Sequence, residues 1–107
     1  MALQWVTFIA KDEIKAGERD VFDTDYGSIL LLNIEDTFYA VENVCSHEEY
    51  ELADGQLNGC ELECSKHGSF FDVRSGEAMN PPAIRPIKIF AARVEGNDVQ
   101  VMLNIKD

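Results

Sequence analysis

The chain reads as a small all-β domain, an antiparallel sandwich or a partly open barrel. Three observations lead there. The 107 residues are the size of one domain, read as a single unit over 1–107. Apolar residues fall in short runs separated by turn-forming groups such as Asp25-Tyr26-Gly27 and Gly96-Asn97-Asp98. Helical periodicity is confined to one or two turns.

Trp5 to Ala10 alternates and is rich in β-branched and aromatic residues, so it reads as a strand. Asp12 to Gly17 reads as a brief helical turn closed by glycine. Arg19 to Thr24 reads as a second strand, ending at the Asp25-Tyr26-Gly27 turn. Ile29-Leu30-Leu31-Leu32 is continuously apolar, as expected of a strand buried on both faces. Glu35-Asp36 then turns the chain tightly into Thr37 to Val41, giving a hairpin. Near the end, Ile87 to Val94 reads as one strand and Gly96-Asn97-Asp98 as its turn. Val99, Val101, Leu103 and Ile105 alternate along the returning strand. Between Glu42 and Pro86 periodicity is poor, and all three prolines lie there.

Composition narrows the function. Apolar residues make up 46% of the chain, enough for a core, and no run of eighteen or more spans a membrane. The first residues, Met1 to Trp5, lack a basic region followed by an apolar one, so a cytoplasmic location is expected. An odd number of cysteines argues against a disulfide framework. The net charge of −11 disfavours nucleic acid and anionic membranes, and favours a partner with a basic docking patch.

The informative residues sit in the aperiodic middle. Cys45-Ser46-His47 and Cys64-Ser65-Lys66-His67 hold both histidines and two of the three cysteines. Two thiolates and two imidazoles suit a borderline-soft metal. One reading is a tetrahedral zinc site. The other is a [2Fe–2S] centre in which two histidines replace two cysteines on one iron. A zinc finger groups its cysteines and its histidines separately. Here each cluster supplies one of each, with sixteen residues between His47 and Cys64, which suits two irons with unlike ligands.

The segments "CSH", "CSKHGSFFDVRSG" and "NPPA" resemble, in order and spacing, those of Rieske-type ferredoxins, the soluble ferredoxin components of Rieske non-haem iron oxygenase systems. The likeness extends more weakly over the whole chain. It implies a Rieske-type sandwich or partly open barrel with two cluster-binding loops at one tip, within about 43–83. It implies one [2Fe–2S] cluster per chain, with Cys45 and Cys64 on the inner iron and His47 and His67 on the outer. It implies a glycine, Gly68, where a side chain would crowd the cluster, and a stiff proline loop, Asn80 to Ala83, covering a third side. It further implies a monomeric one-electron carrier, not an independent enzyme. Electrons would pass from an NAD(P)H-dependent flavin reductase to a terminal oxygenase of the aromatic-ring type. A zinc-binding interaction module, or a Rieske protein that senses redox state, is the alternative.

Departures from the family pattern refine this. Quinol-oxidising Rieske subunits carry a disulfide between the cluster loops, where this chain has Tyr50 and Lys66. Terminal oxygenase subunits add a second domain that 107 residues cannot hold. Ser65 replaces a proline common after the second cysteine. Ser69 matches a serine that donates to a cluster sulfide in some relatives, whereas Phe71 stands where a tyrosine often supplies a second donor. Alternation places Cys60, Leu62 and Cys64 on one strand face, making Cys60 a small buried hydrophobe rather than a ligand. Glu48, Glu49, Glu51, Asp54, Glu61 and Glu63 form an acidic run without Lys or Arg, with Glu48 and Glu49 the leading docking candidates.

Overall fold

The computed structural model describes residues 2–46, 50–65, 68–81 and 83–105. Among the described residues ten strands form three antiparallel sheets. The central sheet contains β2 (Arg19–Thr24), β3 (Gly27–Ile34), β4 (Thr37–Glu42) and β8 (Ile89–Phe90), in that order. A terminal sheet orders β1 (Ala2–Ala10), β10 (Asp98–Ile105) and β9 (Ala92–Glu95). A small third sheet is made of β5 (Leu57–Asn58), β6 (Glu61–Glu63) and β7 (Phe70–Asp72).

The apolar run in β3 explains this layering. Successive side chains of a strand point to opposite faces. Leu30 and Leu32, with Val41 of β4, pack into one core with Leu62 and Phe71 of the small sheet. Ile29 and Leu31, with Phe38 and Ala40, pack into a second core with Val99, Val101 and Leu103 of β10. Both faces of β3 are therefore covered, and no polar alternation is needed. Each leucine so buried contributes about 1.5–3 kcal/mol.

The β3–β4 hairpin turns on Glu35 and Asp36, both left-handed at φ 52° and 68°. Two left-handed central residues give the primed turn that matches strand twist. Asn33 stabilises it by accepting the Asp36 N–H at 2.8 Å, while its amide donates to the Ile14 carbonyl at 2.8 Å. The helical turn expected over Asp12 to Gly17 is a single 3-10 turn, Lys11–Glu13, and the chain reverses at Gly17, where φ is +91°.

The segment from Ile87 to Val94 is not one strand. It splits at Ala91, with β8 pairing to β4 and β9 to β10. Ile87 lies in the first core, whereas Phe90 and Ala92 pack against the second. The segment feeds two cores in turn and must change sheets to do so. Among the described residues no helix is long and apolar enough to cross a membrane.

Candidate metal centre

Two loops leave the first core, one after β4 and one after β6, and each starts at a cysteine. Cys45 is 2% exposed and Cys64 0%, and both belong to the same buried cluster. The loops close alike. The Cys45 N–H donates to the Tyr50 carbonyl at 2.8 Å, and the Cys64 N–H to the Ser69 carbonyl at 2.7 Å, five residues on in both cases. In the second loop the Gly68 N–H also returns to the Cys64 carbonyl at 2.8 Å. Gly68 is left-handed at φ +74°, and a Cβ there would approach only Glu63 Oε2, at 4.0 Å, among the described residues. The positive φ by itself favours glycine at this position.

Side chains from outside the loops hold them in place. Asn43, fully buried two residues before Cys45, accepts the Leu52 and Ala53 N–H groups at 3.0 and 2.9 Å. Its amide donates to Glu51 Oε1 at 3.2 Å and Ser28 Oγ at 3.4 Å. Arg19 of β2 donates to the Ala53 and Gly55 carbonyls at 3.1 and 2.6 Å. At the second loop, Asn80 accepts the Phe70 N–H at 2.7 Å and donates to the Gly68 carbonyl at 3.1 Å. The Ala83 N–H donates to Ser69 Oγ at 3.0 Å. Across to the first loop, Ser46 Oγ donates to the Arg85 carbonyl at 2.5 Å, and Arg85 Nη2 donates to the Ser46 carbonyl at 2.8 Å.

Motif reading missed Asn43, Arg19 and Arg85. Their partners are backbone groups nine to 39 positions away, which no local pattern reveals. Asn80 was visible only as the first letter of "NPPA".

Below the second loop, the turn after β7 carries a bidentate pair. Arg74 donates through Nε and Nη2 to the Asp72 carboxylate at 3.0 and 2.9 Å. The Arg74 side-chain hydrogen bond is the largest influence holding the Asp72 carboxyl below its usual 3.8, against a smaller upward push from burial. Asp72 in turn raises the Arg74 guanidinium.

The sequence-predicted residues fall as follows. Cys45 and Cys64 come into one buried cluster, with no disulfide involving any cysteine. His47 and His67 lie outside the described residues, as do Glu48, Glu49, Lys66 and Pro82. Cys60 packs half-buried against the first core, but it lies in the turn between β5 and β6 rather than on the strand face expected from the alternation, because β6 begins only at Glu61. Phe71 is fully buried and offers no donor. Glu51 is committed in part to Asn43, which weakens its claim as a docking charge. An open groove of about 720 Å³, lined by Lys11, Asp12, Lys15, Asp36 and Phe38 among others, contains none of the cysteines.

This donor chemistry fits an iron–sulfur centre. Two thiol-bearing residues stand at the starts of two similarly closed loops, in a shell nearly dry on the protein side. The Ser69 hydroxyl oxygen is used by Ala83, while its proton makes no hydrogen bond to a described residue. That buried donor is left for an acceptor such as a sulfide.

Comparison with known proteins agrees. A family model for the Rieske [2Fe-2S] domain matches residues 4–91. The chain is 36% identical over 91 residues to the biphenyl dioxygenase ferredoxin subunit of Pseudomonas sp. strain KKS102, covering 84% of each chain. It is 32% identical over 104 residues to the naphthalene 1,2-dioxygenase system ferredoxin component of Pseudomonas aeruginosa, covering 97% of this chain and 100% of that one. Among solved structures, the ferredoxin of carbazole 1,9a-dioxygenase from Nocardioides aromaticivorans IC177 superposes with a TM-score of 0.85 at 31% identity, covering 91% of this chain and 95% of that one. A chain in the complex of reduced oxygenase and oxidised ferredoxin of carbazole 1,9a-dioxygenase also superposes, with a TM-score of 0.85 at 28% identity, covering 91% of each chain.

Proposed function

The chain belongs to the Rieske [2Fe–2S] domain family, and on that premise we propose that it is a one-electron carrier between an NAD(P)H-dependent flavin reductase and a terminal oxygenase acting on aromatic rings. Cys45 and Cys64 hold the inner iron as thiolates, and His47 and His67 hold the outer iron through ring nitrogens. When bound, the cluster supplies a one-electron couple. The chain's own residues exclude water from the thiolate side, satisfy the loop backbones, and leave the histidine side for partners. The carrier works as a monomer in the cytoplasm.

One observation carries this reading. Two buried cysteines begin loops of the same closure within the matched span, and the chain resembles ferredoxin components over most of its length. The surface near the loops suits docking by contact and charge. Ile84, directly after the proline loop, is 86% exposed, and the run from Glu48 to Glu63 carries six carboxylates and no cation.

Purified protein tests the proposal directly. Two irons and two sulfides per chain, a red-brown colour and a Rieske EPR signal on reduction are expected. A colourless protein with one zinc overturns it. Replacing Cys45 or Cys64 by Ala, or His47 or His67 by Ala, removes the signal. Histidine ligation also makes the imidazole N–H more acidic in the oxidised state, so the midpoint falls at alkaline pH. A midpoint independent of pH into strongly alkaline conditions contradicts the two histidine ligands.

A further inference from the structure

The segment from Asn80 to Arg85 touches both ligand loops. At one end Asn80 brackets Ser69 by bonding Gly68 and Phe70, and the Ala83 N–H bonds Ser69 itself. At the other end Arg85 and Ser46 exchange two hydrogen bonds, at 2.5 and 2.8 Å. No disulfide ties the loops, and this segment is a hydrogen-bonded cross-link between them.

The first-loop anchor brings a charge with it. Ser46 stands between Cys45 and His47, the proposed ligands of the inner and outer iron. The Arg85 guanidinium is hydrogen-bonded to that residue's carbonyl. The net charge is −11 overall, and the run from Glu48 to Glu63 carries no Lys or Arg, so that the cations the sequence sets in or against the ligand loops are Arg85 and Lys66, the latter directly before His67. A reduced cluster carries one more negative charge than an oxidised one. A cation held on the backbone between two ligands, even an exposed one, therefore stabilises the reduced form and raises the potential.

We propose that Arg85 is a positioning residue for the cluster, clamping the Ser46 loop to the proline segment and holding the reduction potential above the value the acidic surface would impose. This rests on the ligand assignment above.

The test is redox titration of the holo-protein and four variants, with EPR and visible spectra recorded on each. Arg85→Lys keeps the charge and stays near wild type. Arg85→Gln moves the midpoint to more negative potential, and Arg85→Glu moves it about twice as far, because the charge changes by two rather than one. Both displacements shrink as salt is added. Ser46→Ala deletes the hydroxyl and keeps the guanidinium, so its midpoint stays near wild type. Should Arg85→Glu not retain its cluster, Arg85→Gln carries the test alone, since its amide still offers an N–H to the Ser46 carbonyl. Midpoints of Arg85→Gln and Arg85→Glu equal to wild type, with the Rieske signal intact, overturn this inference and leave the ligand assignment standing. Absence of that signal in wild type overturns the ligand assignment and this inference with it.

Discussion

The hydroxyl of Ser69 and the backbone of Ala83 are joined by a buried hydrogen bond of 3.0 Å in which the serine is the acceptor. Ser69 thus pins the proline loop to the second ligand loop, and its own proton makes no hydrogen bond to a described residue, which leaves it free to act as the expected donor to the cluster. Ser69→Ala removes both functions. The orphaned Ala83 N–H costs about 1–3 kcal/mol, read from denaturant unfolding. The lost donor lowers the midpoint, read by redox titration. An unchanged midpoint with reduced stability leaves Ser69 only its structural role.

Asn43 satisfies four partners while fully buried, and nothing else described bonds the Leu52 and Ala53 N–H groups. Asn43→Ala leaves both groups without an acceptor and costs roughly 2 kcal/mol or more. Asn43→Asp keeps the acceptor but sets a second carboxylate against Glu51, so it is also destabilising, and more so at neutral pH than at pH 4. Thermal unfolding at the two pH values separates these contributions, and iron release follows the same order.

Two glycines test whether close backbone approach positions the second cysteine. A Cβ on Gly55 would lie 1.6 Å from the Glu63 carbonyl oxygen, in the residue just before Cys64. A Cβ on Gly59 would meet nothing within 4 Å, although φ there is +65°. Gly59→Ala therefore costs only the left-handed conformation, about 1–2 kcal/mol. Gly55→Ala forces the backbone apart beside the ligand, costs about 3 kcal/mol or more, and broadens the EPR signal. Equal behaviour of the two variants contradicts this account.

Acid should weaken the turn after β7. Arg74 holds the Asp72 carboxyl below its usual 3.8, so the folded state binds this proton less readily than the unfolded chain. The resulting stability is fully present above the unfolded pKa and is lost as pH falls through the depressed folded value. Arg74 is largely exposed, so solvent screening keeps this contribution small. Arg74→Ala moves the Asp72 carboxyl titration back toward 3.8, followed by carbon-13 NMR. Its stability deficit at pH 7 disappears in strong acid, where both proteins carry Asp72 protonated.

The strand content was largely legible because period and burial are local properties. Four apolar residues in sequence at Ile29 to Leu32 announced a strand covered twice, and the two cores meet on its two faces. Arg19 to Thr24 was bounded by its own turn and emerges as β2 with those limits. The Ile87 to Val94 segment misled because its apolar pattern continues while its partners change, and a change of sheet leaves no mark on composition.

The class of chemistry was legible in the motifs. Thiol and imidazole at C-x-H and C-x2-H spacing suit a metal centre, and the resemblance those motifs carry implies a Rieske-type donor set, with Tyr50 and Lys66 where a disulfide would stand. Such ligands are written as residue types at short separations. Tertiary structure alone decided how the unlinked loops are held. Asn43, Asn80, Arg85 and Arg19 act on backbone groups far away in the chain, and Gly55 is demanded by a carbonyl eight residues downstream. A hydrogen bond to a distant carbonyl requires only a polar side chain somewhere in the sequence, and folding alone selects which one reaches it.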